Sequence, residues 1–297
     1  MNKSKYILSG VLGAAFLSGG VAYGQNILML ATDGHDGEPL ARDFGAWIET
    51  ERPGYTVDIS ADVDNSLTTA TGTSISSGQM ATLNSYDLII SPRGGTGGSG
   101  NFGSTDWNNV STGILNMNPF SYGDDRWQWI PAGTTTSAKA MGQMIVQDST
   151  SPLFDGVDTS GGSVDMYQGT QENMSVEWPA GDFTGNVVSL TDADPAVEGQ
   201  DEPWVIMWDG SESAFYVVDG TPGDQAPGGR RTMFLGTNTG NTIAGVPSDV
   251  YTADGQTVLL NAIDSTIPEP GTYALFAGFG ALGGVLLLRR WRLAKSS

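Results

Sequence analysis

The chain has 297 residues, with 13 lysines and arginines against 33 aspartates and glutamates, so its formal net charge is −20 at pH 7. This excess of acids argues against nucleic-acid binding, because contacts to phosphates need a basic patch. The chain has no cysteine, which excludes disulfides, thiolate metal sites, iron–sulfur clusters and cysteine nucleophiles.

The first 24 residues have the layout of a secretory signal peptide. Lys3 and Lys5 precede an apolar run over residues 6–17, and small residues follow up to Ala22 and Gly24. A basic start, a short apolar stretch and a small-x-small exit are typical of a segment that directs export and is then removed. We therefore expect a mature chain that begins at Gln25.

The next residues predict a buried strand, a polar loop and a helix. Residues 26–31 form a short apolar run of the kind that is buried on both faces of a parallel sheet. A loop rich in acids and glycine follows, and it contains the only histidine, His35. Over residues 39–51 the apolar side chains recur at helical spacing.

The same alternation continues and defines the expected fold class. Residues 55–59 and 86–91 predict strands, and a helical stretch at 78–84 lies between them. This β-α-β-α-β order predicts a doubly wound, mostly parallel α/β sheet. A glycine-rich loop, a helix at 105–113, a strand at 114–117 and an aromatic loop at 119–129 follow. The second half is expected to be richer in strands, at 143–147, 186–190, 204–208, 214–218 and 231–236, before a helix at 256–264.

Three pieces of this body resemble the ThuA-like branch of the class I glutamine amidotransferase-like fold. They are residues 27–30 with the histidine-containing loop, residues 87–91 with the glycine-rich loop, and residues 231–236 followed by 254–262. The resemblance implies one flavodoxin-like α/β domain over residues 25–264. Glutaminases of that fold need a cysteine nucleophile, so glutamine hydrolysis by their mechanism is excluded here.

Three loops are expected to meet at the carboxyl edge of such a sheet, where open α/β folds bind ligands. Carboxylate oxygens and an imidazole nitrogen could hold a divalent cation there, and aromatic rings could stack on sugars. Turn chemistry and core packing explain the same residues, so no cofactor is predicted. The candidate pocket residues are Asp33, His35, Asp36, Glu38, Arg93, Tyr122, Arg126 and Trp127.

Residues 265–297 combine a short motif, an uncharged span and a basic tail. The span, residues 272–288, would be about 26 Å long as a helix, which is at the short end of a membrane crossing. The positive-inside rule places the basic tail in the cytoplasm and the body outside. The motif and the tail consist of Pro268, Glu269, Pro270, Arg289, Arg290 and Arg292.

This order of motif, span and tail resembles the PEP-CTERM sorting signal of Gram-negative bacteria. The resemblance implies recognition by an exosortase that cuts near the Pro-Glu-Pro motif, and an association with exopolysaccharide. Without the signal peptide and this segment, the body keeps seven basic and 32 acidic residues, a net charge of −25. The alternative interpretation of this segment is a plain tail anchor.

Together these features favour an exported cell-envelope protein whose body is non-catalytic or binds an unassigned ligand. It would pass through a tethered state at the inner membrane and reach the periplasm, outer surface or extracellular matrix. Its expected partners are the secretion machinery, an exosortase, the membrane and polysaccharide. Two alternatives remain open: an exported carbohydrate-active enzyme that uses His35 and neighbouring acids, and a surface saccharide-binding module that uses the tryptophans.

Overall fold

The structure is a computed structural model that describes most of the body but neither end of the chain. The predicted signal peptide, the three pocket loops and the span 272–288 fall almost wholly outside the described residues. The described residues are 24–31, 38–69, 75–92, 104–118, 127, 129, 135–169, 171–179, 185–192, 200–210, 215–216, 222–223, 227–235 and 247–268.

Strands outnumber helices in these residues. The helices are α1 (Glu38–Glu51), α2 (Ser60–Asp64), α3 (Ser66–Thr69), α4 (Ser77–Leu83), α5 (Ser104–Asn108), α6 (Pro247–Val250) and α7 (Ala253–Thr266). The strands are β1 (Gln25–Met29), β2 (Tyr55–Ile59), β3 (Leu88–Ser91), β4 (Gly113–Asn116), β5 (Thr135–Met141), β6 (Gln143–Val146), β7 (Ser163–Asp165), β8 (Gln171–Pro179), β9 (Asn186–Thr191), β10 (Gln200–Asp201), β11 (Pro203–Trp208), β12 (Phe215–Tyr216), β13 (Pro222–Gly223) and β14 (Arg231–Phe234).

A nine-stranded sheet, in the order β2-β1-β3-β4-β14-β11-β9-β6-β7, forms the centre of the fold. The first five strands in this order are parallel, and every pairing from β14 onward is antiparallel. The expected α/β sheet is therefore confirmed, but it is mixed rather than mostly parallel. Parallel neighbours need a long crossover, usually a helix. The described chain has no α-helix between β4 and β14, and the strands of the central sheet formed in that stretch pair antiparallel.

The predicted helices and strands of the first half agree with the structure to within a few residues, with one exception. The helix expected at 105–113 ends at Asn108, and Gly113 begins β4 instead. The end of α7 passes so close that a Cβ at Gly113 would overlap the carbonyl oxygen of Thr266. Glycine is required at this position by packing, which the local sequence does not reveal.

The largest omission of the sequence analysis is a second sheet, in which β5, β8 and β10 are joined in the order β10-β8-β5. Strand β8 carries Met174, Val176 and Trp178 at alternate positions, the spacing typical of a half-buried strand. Val176 is fully buried. The alternation of apolar residues therefore indicates a strand, but the polar residues between and before these positions make the pattern hard to recognise.

Two amphipathic helices contribute to the core as their spacing predicted. In α1, Phe44 and Ile48 are fully buried and Trp47 stacks on Phe44, with ring centroids 5.9 Å apart. In α7, the buried stripe includes Val258 and Leu259. Burial of each large apolar side chain contributes roughly 1.5–3 kcal/mol, so these two faces account for much of the attachment of the helices to the sheet.

Arg231, the first residue of β14, is the one fully buried cation in the described chain. Its guanidinium donates to the backbone carbonyl oxygens of Trp107 at 2.9 Å, Val110 at 2.6 Å and Thr112 at 3.0 Å. Burial lowers the pKa of this guanidinium to about 9, so it stays charged at neutral pH. These carbonyls lie at the end of α5 and on the way to β4. Arg231 therefore joins that segment to the sheet, using the fork of donors that only arginine has.

Replacing Arg231 should destabilise the protein strongly. In Arg231→Ala, several buried carbonyls lose their donors, at about 1–3 kcal/mol each, so we expect a loss on the order of 3 kcal/mol or more in urea unfolding. Arg231→Lys should be intermediate, since an ammonium cannot reach all the carbonyls. The control is Arg230→Ala: Arg230 is partly exposed, pairs with Asp209 and donates to a single described carbonyl, that of Ser265, so its loss should be smaller, about 1 kcal/mol. Equal effects at both positions would contradict this role.

Candidate functional site

The carboxyl ends of β1, β3 and β4 lie side by side at one edge of the sheet. The Leu30 N–H donates to the Ile90 carbonyl at 2.8 Å, and the Met117 N–H donates to the Ser91 carbonyl at 2.8 Å. The three candidate loops therefore start from neighbouring strands. The loop residues themselves lie outside the described residues; they are Asp33, His35, Asp36, Arg93, Tyr122 and Arg126.

Four polar side chains are buried where these parallel strands end. Ser60, directly after β2, both accepts from the Ala31 N–H at 2.8 Å and donates to the Ala31 carbonyl at 2.9 Å, which ties the ends of β1 and β2 together. Asn116 accepts from the Asn118 N–H at 3.0 Å, and both asparagines are at most 3% exposed. Ser91 is 1% exposed, and its hydroxyl has no hydrogen-bond partner in the described structure.

The antiparallel half brings an acid to the same edge. Strand β11 runs opposite to β14, so it begins where β14 ends, and the Leu235 N–H donates to the Trp204 carbonyl at 2.7 Å. Glu202, just before β11, is 3% exposed. It accepts from the Thr191 hydroxyl at 3.3 Å. A buried carboxylate is costly unless it is hydrogen-bonded. The bond from Thr191 offsets part of this cost and fixes the Glu202 carboxylate at the edge.

These buried polar residues lie at the ends of strands, whereas the residues predicted for the pocket lie in the loops. Ser91 and Asn116 are the last residues of β3 and β4, and Glu202 directly precedes β11. A polar residue at the carboxyl end of a buried strand is the signal that could have found them.

Glu38, the one acid of the first loop that is described, is engaged in an ion pair. It begins α1, and its carboxylate accepts from Arg42 at 2.6 Å. Arg42 also binds Asp62 of α2 at 2.7 and 2.8 Å. The guanidinium thus bridges the starts of two helices that follow β1 and β2. The ion pair with Arg42 thus holds Glu38, the first residue of α1, at the end of the loop.

The bridge should make stability depend on pH. The hydrogen bond from Arg42 lowers the pKa of Asp62 in the folded protein. Such a shift adds stability above the pKa of the unfolded chain, about 3.9 for aspartate, and that stability is lost as the pH falls through the folded-state pKa. We expect the melting temperature of Arg42→Ala to lie below that of the wild type at neutral pH, with the gap closing in acid. The melting temperature of Asp62→Asn should depend on pH in the same way. A difference from the wild type that persists in strong acid would contradict a role of the Arg42–Asp62 ion pair.

Trp127 and Trp129 belong to an internal row of indoles. Trp127 stacks on Trp107 with centroids 4.4 Å apart, Trp129 lies 5.5 Å from Trp127, and Trp129 meets the edge of Trp208 at 6.1 Å. Trp127 is 3% exposed and Trp129 is fully buried. Trp208 pairs with Arg231, so the row extends toward the amino-terminal end of β14. These two rings have no exposed face on which a sugar could stack.

Neither a metal site nor a membrane span is found in the described chain. No group of three or more potential metal ligands occurs within the described ranges. Among the described residues, no helix has the length and apolar character needed to cross a bilayer, and residues 272–288 lie outside them.

Comparison with known proteins supports the fold alone. No family model and no curated protein matches the chain. Among solved structures, a ThuA-like protein from Parabacteroides merdae superposes with a TM-score of 0.50 at 11% sequence identity. The match covers 84% of this chain and 92% of that one. The chain has the ThuA-like fold. At 11% identity, the similarity to this structure concerns the arrangement of helices and strands and says nothing about a shared activity.

Proposed function

We propose that this chain is an exported envelope protein whose ThuA-like body binds a small polyhydroxylated ligand, such as a saccharide unit, at the carboxyl edge of its sheet. Its C-terminal segment holds it in the membrane until an exosortase cuts near the Pro-Glu-Pro motif. Export and sorting are supported by the signal-peptide layout and by the order of motif, span and basic tail. Ligand binding is supported by the buried polar groups at one edge of the sheet.

The observation that carries the ligand proposal is that Ser91, Asn116 and Glu202, from both halves of the sheet, are all buried at its carboxyl edge, with Ser91 and Asn116 as register partners. Open α/β sheets bind ligands at this edge. Hydroxyl, amide and carboxylate groups together donate and accept hydrogen bonds, which suits a ligand with several hydroxyls. The Ser91 hydroxyl is buried without a partner, and leaving such a group unsatisfied costs about 1–3 kcal/mol. A ligand or water that bonds to it would recover this free energy.

Binding is favoured over catalysis because the described edge provides an acid but no nucleophile and base in contact. The carbohydrate-active alternative depends on His35 and its neighbouring acids. His35→Ala is therefore included in the experiment as a separate variant.

Removing the Ser91 hydroxyl should weaken ligand binding. The full chain, purified in detergent, would be screened by calorimetry against defined mono- and oligosaccharides. We expect Ser91→Ala to lower the affinity about tenfold, equivalent to about 1.4 kcal/mol. The matched control is Ser189→Ala, since Ser189 is also fully buried with a hydroxyl that lacks a partner. It lies in β9, four strands across the sheet from β3, or roughly 19 Å.

The outcome separates the proposals. Equal losses in the two serine variants would contradict a role of the Ser91 hydroxyl in binding, and the absence of any bound saccharide would contradict a ligand site at this edge. Saccharide turnover that disappears in His35→Ala would favour the enzyme over the binding protein.

The sorting proposal is consistent with how the body ends. Helix α7 is packed through Thr266, Ile267 is buried, and Pro268 is exposed. The first residue of the motif is thus accessible directly after the fold ends, so a protease would not have to unfold the body to reach the motif.

Mass spectrometry of the mature C-terminus would test the sorting proposal. In cells with an exosortase we expect a chain that ends near Pro268–Pro270, and in cells without it we expect the intact tail. Glu269→Ala should keep the tail in both strains. An intact tail in both strains for the wild-type chain would refute sorting, and cleavage in both would indicate a different protease.

A further inference from the structure

The C-terminal end of α7 is fixed at the amino-terminal edge of the parallel strands. The hydroxyl groups of Thr266 and Thr232 hydrogen-bond at 2.7 Å, and both residues are fully buried. Thr232 is the second residue of β14. On the neighbouring strand, Gly113 at the start of β4 lies against Thr266 and Pro268. The guanidinium of Arg230, just before β14, donates to the Ser265 carbonyl.

A further set of contacts joins the same helix end to β2. Asp264 accepts from Arg52 at 2.9 Å and from the Tyr55 hydroxyl at 2.8 Å. Tyr55 is the first residue of β2, and burial together with the Asp264 bond raises its pKa. The end of α7 is therefore attached to the starts of three strands, so the chain leaves the body at the amino-terminal edge.

The distance from this exit to the predicted span is short. Only residues 269–271 separate Pro268 from residue 272, and four Cα–Cα steps reach at most about 14 Å. A body of this length has a radius of gyration of about 18 Å. The tether is thus shorter than the radius of the body, which limits how far the body can rotate.

We infer that, while the chain is anchored, the amino-terminal edge of the sheet lies against the membrane surface and the carboxyl edge, with its candidate ligand site, faces away. This inference rests on the proposed membrane segment. The other chain end agrees with it independently, because β1 begins at Gln25, directly after the predicted signal peptide. Both segments that the sequence assigns to the membrane leave the body at the same edge.

Charge does not account for this orientation. At the amino-terminal edge Arg52 pairs with Asp264 and Arg230 pairs with Asp209, while Arg231 is fully buried, so none of these described cations offers an exposed, unpaired charge to the lipid. The body as a whole carries a net charge of −25 and is repelled by anionic lipids. The orientation therefore follows from the short tether, and the body without residues 269–297 should not bind vesicles.

The absence of cysteine allows a direct test by fluorescence quenching. In the full chain from Gln25, Ser111→Cys places a single label near Gly113 at the amino-terminal edge, and Val63→Cys places one on α2 at the carboxyl edge. Both residues are exposed. Each labelled chain would be reconstituted into vesicles of phosphatidylcholine and phosphatidylglycerol with a headgroup quencher. We expect quenching of the Ser111 label to be several-fold stronger than that of the Val63 label.

Two controls make the result decisive. A Gly-Ser insertion of about twelve residues after Pro268 adds an r.m.s. reach of about 20 Å and should reduce quenching at Ser111→Cys. Chains that end at Pro268 should show no quenching at either position. Circular dichroism of each labelled variant establishes that it is folded.

The outcomes distinguish this inference from the proposal on which it rests. If the full chain does not float with vesicles, the membrane segment is refuted and the orientation with it. If the chain floats but both labels are quenched equally, or the Val63 label more strongly, the anchor stands and the orientation is wrong.

Discussion

The buried guanidinium of Arg231 is the interaction on which the centre of this structure depends. It lies where the parallel half of the sheet meets the antiparallel half, and it donates to carbonyls from α5 and the segment before β4. Without those bonds the carbonyls would be buried and unsatisfied. The row of indoles from Trp107 to Trp208 packs around the same segment. One cation thus ties together residues that are far apart in the chain.

The two edges of the sheet have different properties as a result. At the amino-terminal edge, Arg231 and the Thr232–Thr266 pair bind the ends of α5 and α7 to the sheet. At the carboxyl edge, Ser91 keeps a buried hydroxyl without a described partner, and Glu202 is held nearby by Thr191. The first edge suits attachment to a membrane anchor, and the second suits a ligand.

Local patterns predicted the elements whose formation depends on local forces. The spacing of Phe44, Trp47 and Ile48 predicts α1 because one helical face must be buried, and residues 55–59 form the strand that their alternation indicates. The predictions were wrong where tertiary packing determines the conformation or the burial of a residue. Gly113 belongs to a strand because α7 passes over it, and Trp127 is a core residue although its loop composition suggested a stacking platform.

The sequence by itself determined the absence of thiol chemistry, the strong negative charge and the α/β order of the first half. These properties depend on composition or on residues close together in the chain. Only the tertiary structure decided that the second half is antiparallel, that Ser91, Asn116 and Glu202 share one edge, and that Gln25 and Pro268, the residues beside the predicted membrane segments, lie at the other. Strand order and register are set by contacts between distant residues, and no local pattern encodes which strands become neighbours.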